Sequence, residues 1–557
     1  MLGRLAKIAR TLFCVALAAA CLSGQAQAQH METEKSSKQD PKLDAQQYME
    51  IMGNAIQILQ NHYVDSIDWA RILTAGIDAM CEELDPYTQF FSEADQSDFK
   101  TMTTGEYAGI GAIIQQRGDT VVIAQPYKGM PAVEAGLRIG DRILAIDGVS
   151  QIGKTTSQVS EKLRGQPNTT FEIKIQRPYE PEPMVRQIVR RRIVMDVVPY
   201  SGWLNDSIGY IVLNSFTDKA AQEVQAALVA LKQEKPLKGL VLDLRNNGGG
   251  LLDEAVKIVG MFVPMGSTVV ETKAKLAEWN STYKTNVHPI EPDLPLAVLV
   301  NRGSASASEI VSGALQDLDR AVILGERSYG KGLVQSTRPM PYNTLIKFTS
   351  AKYYIPSGRC IQAIDYQARR MARWEAGMDE SEDLGRIPDS LTHVFHTANG
   401  REVRDGGGIK PDVERKPRVM SNLAYYLERE NLVFDFCTRF CHENPERHAL
   451  TDAEYDQFCQ GVIQARKDSI LDLMKIKLVP ELDSLKSEIV EMIDVELALR
   501  YEFLAGQIRE VIKGDDLVKE AAAILGDDKR YCEILRPVPA DRQMSKGKSP
   551  KKKKNKK

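Results

Sequence analysis

The stretch LVNRGSASASEIVSGAL, Leu299–Leu315, decides how the chain reads. An apolar run ends at Asn301. A turn of small residues follows, carrying Ser304, Ser306 and Ser308, and a helical pattern starts near Ser308 or Glu309. Strand, small-residue turn and helix in that order are the unit of an α/β domain. A serine at such a turn lies beside helix amides that have no internal acceptor and that favour negative charge. An oxyanion of acyl transfer would be stabilised there. The same place suits a serine that only caps the helix, and the local stretch does not choose among the three. The 7 histidines are His30, His62, His288, His393, His396, His442 and His448, all distant in sequence, so the usual base for a serine is missing nearby.

Outward from this turn the pattern repeats. IGYIVLNSF and GLVLDLRN read as buried strands, with the amphipathic helix DKAAQEVQAALVALKQ between them; PLAVLVN and AVILG continue the series. An α/β domain is expected over 186–415. Upstream, AGIGAIIQQRGDTVVIAQ predicts two strands around a Gly118–Asp119 turn. GMPAVEAGLRIGDRILAIDG predicts a short helix, a glycine stop and a strand. This glycine-rich β region covers 96–185. Residues 40–95 read as helical until Pro86 breaks the pattern in LDPYTQFF. After Arg418 strands almost vanish, and 416–540 reads as a helical region.

The chain has 557 residues, 43% apolar and 26% charged, which is the composition of a globular protein of several domains. Its net charge of -3 gives no whole-protein attraction to nucleic acid, and no nucleic-acid partner is expected. The lysine run KGKSPKKKKNKK closes a basic tail, 541–557, expected to be disordered by self-repulsion. The bland reading is a solvated tail; contact with anionic lipid, cell wall or nucleic acid is the alternative. Residues 1–28 have the three parts of a secretory signal: Arg4, Lys7 and Arg10, the short apolar TLFCVALAAACLSG, and the small-residue AQA. Export to the periplasm or cell envelope is therefore expected, with lipid attachment at Cys21 as a rival to cleavage. The six later cysteines, Cys81, Cys360, Cys437, Cys441, Cys459 and Cys532, form no CxxC pair. No metal site and no cofactor are expected. A disulfide among the last four is open.

GERSYGKG, Gly325–Gly332, nearly spells a phosphate-binding loop after a strand. Gly332 stands where a Ser or Thr should hold magnesium, and LVQSTRPMP continues as a strand rather than a helix. The nucleotide reading fails. What remains is Lys331 between two glycines in an apolar stretch. A lysine acts as a general base when burial lowers its pKa toward working pH, and a Ser–Lys pair needs no histidine.

GSASASEI followed by GERSYGKGLVQ resembles the active-site region of the carboxy-terminal processing (tail-specific) serine proteases. LDPYTQFF, MPAVEAGLRIGDRILAIDG, KYYIPSGRCIQ and GGGIKPD resemble further segments of that family, in order, from about Asp85 to Asp412. The resemblance implies Ser306 as nucleophile and Lys331, 25 residues on, as base. It implies Gln335 as the residue that positions the lysine, and Ala307 as one oxyanion donor. The second donor comes from DLRNNGGG: Gly249 is favoured and Gly248 is the near alternative, because Gly248 stands where the family more often has proline. Asp317 is assigned to structure. Ser308 is left to start the helix. The glycine-rich β region becomes a PDZ domain, whose loop Gly109, Ile110, Gly111 and Ala112 would take a peptide carboxylate.

The implied fold is a multidomain α/β plus α protein. A crotonase/Clp-like α/β protease core carries an inserted PDZ domain and helical N- and C-terminal regions. The implied function is an exported endopeptidase that binds protein or peptide substrates by their C-termini and cleaves them through an acyl-enzyme. A homo-oligomer is expected, and an adaptor is left open. The competing class is a non-catalytic PDZ scaffold for exported proteins.

Overall fold

The computed structural model describes residues 43–93, 106–366, 368–369 and 387–536. The signal segment with Cys21, the lysine tail and the first part of the 380–405 loop lie outside the described residues. The chain divides into two compact units, Met1–Ile77 and Asp78–Lys557. In the first, the helix Ala45–His62 starts at a reciprocal cap: Asp44 and Gln47 exchange backbone-to-side-chain bonds of 2.9 Å.

The second unit is built on a six-stranded sheet. Its order is Tyr200–Trp203, Ile208–Val212, Gly239–Asp243, Leu296–Val300, Val322–Gly325 and Val413–Glu414. The first pair is antiparallel and the rest are parallel. The strands at 208–212, 239–243 and 296–300 are buried at every position. Both faces are covered, which is why these segments read as continuous apolar runs. Ile211, Leu240, Leu242, Val298 and Ile323 face one layer, with the helices Ala220–Glu234, Leu252–Gly260 and Ala307–Asp317. Tyr210, Val241, Ala297, Leu299 and Leu324 face the other.

That second layer comes from the C-terminal region. The helix Asp516–Leu525 puts Val518, Ala521, Ile524 and Leu525 on the sheet. Sequence periodicity identified these helices but not the surface they cover. The C-terminal region otherwise has its own core, around Phe436, Phe440, Phe458, Ile493 and Leu497. Cys437 lies in that core, and all six described cysteines are free.

A second sheet lies beside the first. Its long strand Thr344–Tyr354 pairs with Gln89–Phe91, Leu333–Met340 and Thr268–Ala274. The glycine-rich region forms a further sheet in the order Ala112–Arg117, Thr120–Pro126, Arg142–Ile146, Thr170–Gln176 and Met184–Val189. Ala112–Arg117 is one of its two edges, and the helix Thr156–Leu163 packs against that strand. An edge strand beside a helix is the arrangement by which an extended peptide can be added to a sheet.

Candidate active site

The structure separates the three serines. Ser304 and Ser308 are fully buried. Ser304 Oγ donates to the Leu244 carbonyl and Ser308 Oγ to the Asn247 carbonyl, each at 2.8 Å. Both hydroxyls pin the turn to the loop after the Gly239–Asp243 strand. Only Ser306 is partly exposed. The helix begins at Ala307, earlier than the pattern indicates, so the N-cap is Ser306 and not Ser308. The backbone leaves the helical region at Ser306, and Ser308 is the second helical residue, with its hydroxyl on the Asn247 carbonyl. Ser306 has φ 55 and ψ -113, a conformation that costs a non-glycine residue about 1–3 kcal/mol and is held by its surroundings.

The main restraint is Glu309, three residues on and fully buried. Its Oε2 accepts from the amide of Ser306 and from the amide of Lys331, both at 2.9 Å. Its Oε1 accepts from the Gly330 amide at 2.7 Å and from Ser328 Oγ at 2.5 Å. Burial pushes the Glu309 carboxyl up, and these four donors oppose that shift. Tyr353 closes the other side. Its hydroxyl touches the carbonyls of both Ser306, at 3.2 Å, and Lys331. Two residues 25 apart in sequence are thus joined through their peptide groups on two sides.

Lys331 leaves its loop after Gly330, whose φ is 89 and where a Cβ would lie 2.3 Å from the Ala363 Cβ. No side chain fits there. Lys331 then leads into the strand Leu333–Met340, so no helix follows. The ammonium lies 4.1 Å from the centroid of the Tyr87 ring. Burial lowers the Lys331 pKa to about 8; the nearby charge of Lys347 acts in the same direction, and Asp85 and Glu309 oppose it. A lysine tuned this way is neutral in a large fraction of molecules at mildly alkaline pH.

Gln335 is on the same strand but does not reach the lysine in this conformation. Its Nε2 donates to Thr349 Oγ1 at 3.4 Å. A bulge between Val334 and Gln335 shifts the register just before it, which re-aims the side chain.

Ala307 is the first helical residue, and its amide has no acceptor within the helix. Gly249 lies directly against it: a Cβ there would be 2.9 Å from the Ala307 nitrogen and 2.8 Å from the Ser306 Cβ, at φ 99. Only glycine fits. The Gly249 amide itself, however, donates to Asn247 Oδ1 at 2.9 Å. Gly248 has open space around it.

The Gly109–Ala112 turn feeds the edge strand. Ile110 is buried in the core of its domain, so its side chain is packing. The carbonyls of Ile110 and Gly111 accept from Ala132 and Tyr127, at 2.8 and 2.9 Å. Gly111 has φ 69, and a Cβ would meet Met130.

Asp317 is structural. Its carboxylate is 2.8 Å from Nη2 of Arg359, and both side chains are essentially sealed from solvent. Its other oxygen accepts from the Ser357 amide at 3.0 Å.

Sequence reasoning missed Glu309, Tyr353 and Tyr87. Glu309 had a signal: a serine and a glutamate three apart at a helix start form the capping-box pattern. The two tyrosines had none, because only the fold brings them to Ser306 and Lys331.

The model of peptidase family S41 matches residues 207–368, and a PDZ-domain model matches residues 122–177. The chain is 33% identical over 392 residues to a carboxy-terminal-processing protease of Bartonella bacilliformis, covering 68% of this chain and 87% of that protein. It is 36% identical over 310 residues to a probable CtpA-like serine protease of Staphylococcus aureus, covering 55% of this chain and 61% of the relative. The chain thus spans about three fifths of the length of that relative. Among solved structures, the photosystem II D1 C-terminal processing protease is similar at 27% identity, with 66% of this chain and 87% of that one covered and a TM-score of 0.36. The chain belongs to the carboxy-terminal-processing protease family, peptidase family S41, and carries a PDZ domain.

Proposed function

We propose that the chain is an exported serine endopeptidase that takes protein substrates by their C-terminal tails. The observation that carries this reading is the Glu309 carboxylate, one oxygen of which holds the amides of both Ser306 and Lys331. A tail docks along the edge strand Ala112–Arg117, with its carboxylate at the Gly109–Ala112 turn. The segment upstream enters the Ser306 site. Neutral Lys331 removes the Ser306 proton, and Oγ attacks the peptide carbonyl. The Ala307 amide and a glycine amide of the 248–249 pair receive the oxyanion. Lys331 then gives its proton to the departing amine, leaving an acyl-enzyme, and activates the water that releases it.

The conformation described is a resting one in this reading. Two adjustments lead to turnover. The Lys331 amine leaves the Tyr87 ring for Ser306, where Gln335 steadies it. The Gly249 amide turns from Asn247 into the site. Localisation follows the N-terminal signal, with Cys21 lipidation as the alternative; no described helix is long and apolar enough to cross a membrane.

The test is incubation of wild type and Ser306→Ala with unfolded casein, with fragments read by mass spectrometry. Wild type is expected to cut internally and Ser306→Ala to lose all cleavage while still binding tail peptides. Cleavage by purified Ser306→Ala at the wild-type sites sinks the assignment.

A further inference from the structure

The segment DPYTQFF lies more than two hundred residues before the lysine, yet it forms one wall of the lysine's site. Asp85 fixes the turn: its Oδ1 accepts from the amides of Tyr87 and Thr88, both at 2.9 Å. Gln89–Phe91 then pairs with Thr344–Tyr354 in antiparallel register. Thr88 Oγ1 also accepts from the Thr349 amide at 3.3 Å. Tyr87 is therefore held between an Asp turn and a strand, with its ring at Lys331. Its hydroxyl is tied separately. It lies 2.9 Å from the Tyr366 hydroxyl and 3.4 Å from that of Tyr329. The Tyr366 ring meets it edge-on, at 5.9 Å and 88°.

We infer that Tyr87 is a positioning residue for the dyad: its ring forms both the water-excluding wall and the docking face for the Lys331 amine between turnovers. The inference rests on Lys331 being the base. An aromatic face attracts an ammonium and gives up that attraction once the amine is neutral. The ring thus holds the charged lysine and releases the neutral one, which is the form that can take the Ser306 proton. The ring also replaces water around Nζ, which disfavours the charged form. These two effects oppose each other. Burial, to which the ring contributes, is the largest influence on Lys331; the charge of Lys347 acts in the same direction, Asp85 and Glu309 oppose it, and the net displacement is downward. In this proposal the ring's exclusion of water outweighs its attraction for the ammonium.

The experiment is the pH dependence of kcat/KM on a fluorogenic peptide, from pH 6.5 to 10, for the full chain and three variants. The acid limb reports the free base. Tyr87→Ala opens Nζ to water, so the limb is expected to move up by about one unit. Activity at pH 7 should then fall roughly tenfold, with recovery near pH 10. Tyr87→Phe keeps the ring and should keep the wild-type limb. Tyr87→Leu keeps apolar cover without an aromatic face, so its limb is expected below the wild-type value, and this shift carries the test if Ala does not fold. An equal loss of activity at every pH in Ala and Leu, with no movement of the limb, would mean a structural role and overturn the inference. So would a downward shift in Ala, or wild-type activity in it. Ser306→Ala retaining activity would instead remove the underlying dyad, so the two failures are distinguishable.

Discussion

The amides of Ser306 and Lys331 donate to a single oxygen, Oε2 of Glu309, at equal distances of 2.9 Å. This sets the backbones of Ser306 and Lys331, the proposed nucleophile and base, relative to one point inside the protein. Such preorganisation matters because a misplacement of about 1 Å can cost on the order of a hundredfold in rate.

Glu309→Gln tests it. A carboxylate accepts at both oxygens, whereas an amide replaces one of them with a donor. The new NH2 would face either Ser306 and Lys331 or Gly330 and Ser328, all of which donate. Two buried donors lose their acceptor, at about 1–3 kcal/mol each. The expected outcome is a kcat at least roughly a hundredfold lower with KM little changed, and a lower Tm. A folded Glu309→Gln with wild-type kcat would refute the clamp.

Asp317→Ala leaves the Arg359 guanidinium in the interior without its counter-charge. Arg359 keeps Gln316 Oε1 at 2.8 Å and the Arg404 carbonyl at 3.1 Å, which are neutral partners. Removing one member of a buried pair costs about 3–5 kcal/mol. Urea unfolding should show a loss of that size. The double variant Asp317→Leu, Arg359→Met is expected to recover much of it, because no unpaired charge remains. A loss below about 1 kcal/mol in Asp317→Ala would contradict the assignment to structure.

The sheet was legible because its strands are buried on both faces and read as unbroken apolar runs between helical periods. The turn at Ser306 was legible as a strand-to-helix junction, but the choice among its serines was not. Burial separates them: Ser304 and Ser308 point into the protein, which periodicity through a small-residue turn does not reveal. Lys331 was visible as an isolated lysine among glycines, and its pairing with Ser306 came through resemblance. Tyr87 was invisible because its contact depends on the pairing of Gln89–Phe91 with Thr344–Tyr354, a non-local event with no local signature. The C-terminal helices were legible as helices. That Asp516–Leu525 returns to cover the protease sheet was not, because an apolar stripe does not name its partner.

Lys347 supplies the last prediction. It lies on the long strand, with Nζ 2.6 Å from Gln89 Oε1 and 5.5 Å from the Phe91 ring centroid. Its positive charge disfavours a second charge on Lys331 and is the second cause, after burial, of that residue's lowered pKa. Replacing Lys347 with glutamine keeps a donor for Gln89 and removes the charge. Lys331 then binds its proton more readily, its pKa rises from about 8, and less of the base is neutral at any pH below that value. The acid limb of kcat/KM should move to higher pH by between a few tenths and one unit. The deficit should be largest near pH 7, at up to about tenfold, and vanish above about pH 9.5. High salt screens part of the interaction in the wild type, so added salt should move the wild-type limb toward that of the variant. An unmoved limb in Lys347→Gln, or one displaced to lower pH, would show that Lys347 does not tune Lys331, the proposed base.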